Sequence, residues 1–419
     1  MPARPTSDWP AAAKRSAPAR FAGVLVLAVT TAVLAFAPVS QASVKAASAA
    51  AGTPAAPAAK RWSPSWMTGQ KSFTLDEALA AASRFDVVVA QPTALAPYVV
   101  AMHAAYPSVK VLAYVNGAYT KTATYPESLY AHDLLGQRIT WIPFGLTMLE
   151  MSNAATRAVV VSAAAIALAT APFDGVLLDN LGLTSLNDSD KTGLPIDPAS
   201  LVTYTGAAWL AQTATLLRDV HASFPTATVL GNGLAWGKLY SDLLSPTSVL
   251  AQLAISGESE QFVRAATQAV TTFRKEADWK MDVDMLVDSE QRGAPVAVVT
   301  KLWVTATDAQ REAWHRYALA TFLLGDNGTS WFSFLGDQAL PTAIAGSTLE
   351  RTRIGVPAGA YSKVSGAYQR SYSNGLVLVN PTTKAANVPV TGSYTNLNGV
   401  VVTGTISLAP QTAEILTLN

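Results

Sequence analysis

The stretch FDGVLLDN (173–180) decides the fold. Gly175, Val176, Leu177 and Leu178 make a short apolar run that is entered through Asp174 and closed by Asp179. A run without polar alternation is what a strand needs when both its faces are covered, as in a parallel sheet wrapped by helices. ATVLGNG (227–233) repeats the pattern, and between the two lies SLVTYTGAAWLAQTATLLRDVHASF (200–224), whose helical spacing Pro225 stops. Outward on both sides the alternation continues. FDVVVAQ (85–91), VKVLAYVNG (109–117) and LTMLEMSN (146–153) precede it, and VLAQLAISGE (249–258), APVAVVTKLW (294–303) and SWFSFLG (330–336) follow. Eight such runs with helices between them predict an α/β fold, a (β/α)8 TIM barrel over residues 62–353. An open doubly wound sheet is the rival, but it would carry a glycine-rich turn after its first strand, where this chain has Gln91-Pro92-Thr93.

The pattern changes on either flank. Beyond Arg353, Val, Leu, Ile, Tyr and Thr alternate between the turn signals Asn374-Gly375, Asn380-Pro381 and Asn398-Gly399, which predicts a small C-terminal antiparallel β-domain over 354–419. At the other end Lys14, Arg15 and Arg20 precede FAGVLVLAVTTAVLAF (21–36), followed by Ser40-Gln41-Ala42. Basic, apolar and small-x-small segments in that order read as a bacterial-type secretory signal peptide over 1–42. A retained anchor is the rival reading, although 16 apolar residues fall short of the roughly 17–25 that span a bilayer. Residues 43–61 are rich in Ala and Pro and read as a disordered linker. The expected product is secreted and extracellular, or held in the cell envelope, with no lasting membrane association.

Composition excludes several chemistries. A net charge of +1 over 419 residues lacks the basic excess that nucleic acid requires. With no cysteine there is neither disulfide framework, thiolate metal site nor thiol nucleophile. No G-x-S-x-G elbow is present, and the four histidines are scattered without metal-site spacing. The expected partner is a carbohydrate, the expected state a monomer, and no cofactor is required.

Active groups of a barrel come from the C-terminal ends of its strands. The polar residues there are Tyr114 and Asn116, Glu150, Asp179 and Asn180, Asn232, Glu258 and Glu260, and Lys301. Carboxyl groups without histidines point to glycosidic cleavage, in which one carboxyl protonates the leaving oxygen and another attacks the anomeric carbon or activates water. Asp179 is the expected nucleophile or base, and Glu260 the expected general acid, with Glu258 in reserve because both glutamates have the same parity along an extended segment. Either glutamate could instead be a solvated loop acid. The expected substrate-binding residues are Tyr114, Asn116, Glu150, Asn180, Asn232, Trp236, Lys301 and Trp303; the aromatic ones could serve as packing or as platforms for pyranose rings, and Glu150 could equally sit in a rim salt bridge. Asp282, Asp284 and Asp288 read as one solvated helix region, and Trp209, Trp279 and Trp314 as helical core.

FDGVLLDN with its following polar loop, ATVLGNG, the Glu260-Gln261-Phe262 step and the block IGVPAGAY…GAYQRSYSNGLVLVNPT…LAPQTAEIL together resemble glycoside-hydrolase-like family fifteen. The resemblance spans roughly 62–419 and implies a barrel closed by a β-domain, glycosidase activity, Asp179 as the strand-four acid and Glu260 as the strand-six acid. Two glutamates flank Ser259, so the choice between Glu258 and Glu260 stays open. The alternative function is a non-catalytic carbohydrate-binding or surface protein on the same barrel; a metal-dependent barrel hydrolase is a third reading.

Overall fold

The computed structural model describes residues 59–63, 72–187, 189–234, 236–242, 256–336 and 349–419. The expected signal peptide and most of the expected linker lie outside them. Eight strands form a closed parallel barrel: β1 (Lys60–Ser63), β2 (Val87–Ala90), β3 (Lys110–Asn116), β4 (Gly175–Asp179), β5 (Thr228–Asn232), β6 (Ser256–Ser259), β7 (Val296–Lys301) and β8 (Trp331–Leu335). Neighbours in sequence are neighbours in space, and β1 closes the ring by pairing with both β2 and β8. Among the described residues six helices of at least seven residues alternate with them: α1 (Leu75–Ala82), α2 (Val99–Ala105), α3 (Ala154–Thr170), α4 (Gly206–Ser223), α5 (Glu276–Gln291) and α6 (Asp308–Gly325). Side-chain caps fix several starts. Thr74 and Thr307 build capping boxes with Glu77 and Gln310, and Thr205 caps α4, which begins later than its apolar spacing predicts. Among the described residues no helix is long and apolar enough to cross a membrane.

Two strand assignments from the sequence need correction. LTMLEMSN is not a barrel strand: only Leu146–Met148 is extended, and it pairs antiparallel with Tyr119–Thr120 and Thr140–Trp141 in a small sheet outside the barrel. Glu150 therefore ends no barrel strand. The missing stave is KRWS, β1, whose first two residues fall inside the expected linker. Its two leading cations hide it from any apolar-run criterion, and it is held by ladder bonds and by the Ser63 hydroxyl, which accepts from Val89 N at 3.2 Å.

The C-terminal sheet has six antiparallel strands, β9 (Ser362–Val364), β10 (Ala367–Tyr372), β11 (Gly375–Asn380), β12 (Ala386–Asn396), β13 (Val401–Leu408) and β14 (Thr412–Leu418), in the order β9-β10-β11-β14-β12-β13. Its grip on the barrel is the Arg370-Ser371-Tyr372 step. Helix α6 ends with carbonyls that have no intrahelical donor. The buried Arg370 guanidinium donates to Leu323 O, Leu324 O and Asp326 O at 3.2, 3.0 and 2.6 Å, and the Tyr372 hydroxyl to Leu323 O at 2.6 Å. A cation at a helix C-terminus also opposes the negative end of the dipole. Arg370→Met should lower unfolding free energy by about 3 kcal/mol, since several charge-assisted bonds are lost and buried carbonyls are left bare; a loss of less than about 1 kcal/mol, from the urea midpoint and slope, would disprove the clamp.

Candidate active site

Strand periodicity assembles the site. Val87, Val89, Leu112, Leu177, Leu230, Ala297, Val299, Trp331 and Leu335 fill the barrel interior, and Tyr114 and Trp303 pack against them. Successive side chains alternate between faces, so the residue two further along each strand points the same way. From Leu112 that is Tyr114, from Leu177 Asp179, from Leu230 Asn232 and from Val299 Lys301. On β6, Glu258 sits in register with Asn232 and with the interior Ala297, and Glu260 follows two residues on. Inward parity thus delivers three carboxyls, one ammonium, one amide and one phenol to the C-terminal rim.

Asp179 is ringed by donors. Its Oδ2 accepts from the Tyr114 hydroxyl at 2.7 Å and from Asn180 Nδ2 at 3.1 Å; its Oδ1 accepts from Asn180 N and Asn232 Nδ2, both at 2.7 Å. Asn180 makes both contacts from a left-handed backbone (φ 61°), a conformation that asparagine tolerates better than most residues. The turn is locked to its neighbour, because Leu181 N donates to Asn232 O at 2.9 Å. There Gly182 (φ +64°) approaches Gly233 so closely that an added Cβ would lie 2.8 Å from its carbonyl oxygen. Burial and the Glu260 charge push the Asp179 carboxyl upward, and the donors oppose that shift.

The two glutamates differ. Glu260 keeps 27% of its side chain exposed and pairs with Lys301 Nζ at 2.8 Å. Burial alone would raise its pKa; the Lys301 charge and hydrogen bond reverse the sign, and the carboxyl lies below its ordinary value. Glu258 has no exposed surface, and among the described residues neither carboxyl oxygen has a hydrogen-bond partner. Burial first, then the charges of Glu260 and Asp179, push it well above the usual carboxylate range, so it carries the proton. Lys301 is itself raised, desolvation being outweighed by the surrounding carboxylates.

The other expected residues divide. Lys301 is an ion partner of Glu260, and its ammonium lies 4.9 Å from the Trp303 ring centroid. Tyr114 serves through its hydroxyl. Asn116 spends its carbonyl oxygen on the backbone, accepting from Ala118 N and Tyr119 N at 3.2 and 2.8 Å. Trp236 stacks on Arg274, 4.3 Å from its centroid, and Arg274 in turn pairs with the buried Asp282 and donates to Gln261 O. Trp236 therefore braces the loop after Glu260, and Asp282 is a buried counter-ion, in contrast to the solvated acid read from sequence. Glu150 is buried and accepts from Ser152 N, Ser152 Oγ and Tyr204 Oη at 3.0, 2.7 and 2.6 Å, and it shares no partner with the three rim carboxyls. The Arg274–Asp282 pair escaped sequence reading because nothing in the order of residues tells a buried acid from a helical surface one.

The family model of hypothetical glycosyl hydrolase family 15 matches residues 103–376. The chain belongs to this family. Among solved structures, Eubacterium rectale Amy13B aligns over 88% of this chain and 97% of its own at 10% identity and TM-score 0.51. A noncanonic maltogenic α-amylase, AmyB from Thermotoga neapolitana, aligns over 86% and 99% at 9% identity and TM-score 0.51. The glycoside hydrolase domain of PelA from Pseudomonas aeruginosa aligns over 68% and 98% at 16% identity and TM-score 0.43. No curated protein matches. The similarity to the first two is one of fold.

In this member of hypothetical glycosyl hydrolase family 15 the protonated Glu258 has a signature in stability. Its native pKa stands above the ordinary 4.5, so between those values the folded state binds more protons than the unfolded one, and stability falls as pH rises through that window. Glu258→Gln should remove the slope: its urea midpoint should exceed that of the wild type at pH 9, with the gap closing toward pH 4. Parallel midpoint curves for the two proteins would show that Glu258 is not held neutral.

Proposed function

We propose that the protein hydrolyses O-glycosidic bonds of a poly- or oligosaccharide through two carboxyl groups, Asp179 and Glu260. The observation that carries this is the inward parity that sets Asp179 and Glu260 on one rim on either side of Asn232, which donates to Asp179 at 2.7 Å and lies close enough to Glu260 to lower its pKa. Asp179 receives N–H donors that cannot accept a proton in return, which suits an anion that attacks the anomeric carbon or activates water. Glu260 has the exposure needed to reach a leaving oxygen. Glu258 holds a proton but has no surface, and geometry precedes pKa in choosing an acid. The Lys301 contact then sets the working pH. Because Lys301 keeps Glu260 below its ordinary value, the proton needed for leaving-group departure is held only at acid pH, and activity falls as pH rises through that lowered pKa. The basic, apolar and small-x-small order of residues 1–42 supports export, with the substrate met outside the cell.

The test is a screen of the protein against polysaccharides with Asp179→Asn and Glu260→Gln alongside. Each variant should lose about a thousandfold in kcat while still binding the sugar. Retained turnover in either, or sugar binding without any hydrolysis by wild type, would overturn the two-carboxyl reading. In Lys301→Met the Glu260 pKa rises, so the alkaline limb of kcat/KM should move to higher pH; a limb that stays in place would remove Glu260 from the role of acid.

A further inference from the structure

Between β3 and α3 the chain leaves the rim on a long excursion, residues 117–153, whose root is bound to the active strands. Gly117 N donates to the backbone carbonyl of Asp179 at 2.8 Å, and Asn116 Oδ1 accepts from Tyr119 N at 2.8 Å. From that root three aromatic rings follow in contact. Tyr119 lies 5.2 Å from Trp141, centroid to centroid, and Trp141 lies 4.5 Å from Phe144. Burial falls outward along the series: Tyr119 is 3% exposed, Trp141 is half-buried and Phe144 is 55% exposed, with Ile142 beside it at 63%. The platform is stiff. The three-stranded sheet carries it, and the β4–α4 connection braces it from behind through Ile142 N to Asp190 O at 2.9 Å, Thr192 N to Thr140 O at 3.0 Å and Tyr119 Oη to Ser185 O at 3.1 Å. Among the described residues no acceptor holds the Trp141 indole N–H, and its ring packs between Tyr119 and Phe144.

An exposed aromatic surface that its own fold could have buried marks a ligand or partner site. We propose that Trp141 and Phe144 form a glycan-binding shelf, continuous with the rim, that seats sugar units of a polymer beyond the bond being cleaved. The occupant is a polysaccharide chain. Pyranose rings present apolar C–H faces that fit aromatic planes, and the root of the shelf is tied to the backbone of Asp179, so a chain leaving the rim meets these rings. This inference rests on the proposed glycosidase reading and narrows its substrate to a polymer long enough to span both places.

The test uses native electrophoresis through gels containing amylose, chitosan or pectin, with wild type, Asp179→Asn, Phe144→Ala, Phe144→Tyr and Trp141→Ala. In the gel that retards wild type, Asp179→Asn and Phe144→Tyr should be retarded equally, and Phe144→Ala and Trp141→Ala less. With the same polymer as substrate, KM should rise roughly fivefold in Phe144→Ala, the size expected for one aromatic contact, while kcat on the polymer and kcat/KM on a short aryl glycoside of that sugar stay at wild-type values. Equal retardation of Phe144→Ala and wild type, equal losses on polymer and aryl glycoside, a change of oligomeric state in Phe144→Ala, or no retardation of wild type in any gel would each overturn the shelf. Retardation of wild type without hydrolysis would instead count against the glycosidase reading, with the shelf upheld if Phe144→Ala then migrates freely.

Discussion

Closing eight parallel strands on themselves leaves an interior just wide enough for side chains. Every inward residue below the rim must therefore be apolar, and every inward polar group must be at the rim or go without water. The barrel obeys this with Val87, Leu112, Leu177, Leu230 and Val299, and it places Tyr114, Asp179, Asn232 and Lys301 one step higher. Glu258 departs from it. It sits in register with Asn232 on one side and the apolar Ala297 on the other, its oxygens have no hydrogen-bond partner among the described residues, and burial with the charges of Glu260 and Asp179 favours its neutral form against the pull of Lys301. The remaining chemistry follows from where the interior stops being dry.

The electrostatics of the site form one balance. Lys301 is a single cation facing Glu260 at contact distance and Asp179 and Glu258 further off. It keeps Glu260 ionised, and that charge in turn raises Asp179 and Glu258. Asn232 moderates the repulsion by donating to Asp179 and by lowering the pKa of Glu260. Two carboxyls thus occupy unlike environments on one rim, the condition under which a pair can divide acid and base functions.

Much of this was readable in order and pattern. FDGVLLDN and ATVLGNG gave two buried staves and their polar ends because continuous apolar runs and terminal Asp or Asn leave a one-dimensional trace. KRWS left none, since a four-residue strand opening with Lys60 and Arg61 resembles any polar linker. LTMLEMSN misled in the opposite way: its apolar residues serve a half-covered antiparallel excursion, and Glu150 follows them into a pocket of Ser152 and Tyr204. The pairing of Lys301 with Glu260 and of Arg274 with Asp282 depends on which loop folds over which helix, information that spacing does not carry. Parity could have grouped Tyr114, Asp179, Asn232 and Lys301, because each stands two residues beyond an interior aliphatic.

The position of β1 reaches into how the protein is made. This four-residue stave joins the first described segment to β8, the last strand of the barrel, through Lys60 with Trp331 and Arg61 with Phe332. Such contacts between distant parts of a chain are slow to form, because a large loop must close before they reward it. A nascent chain emerging from a ribosome or a translocation pore holds an open, unpaired sheet edge until β8 has followed. Ring closure then waits until β8 has emerged, and sheltering that edge falls to whatever receives the unfinished polypeptide.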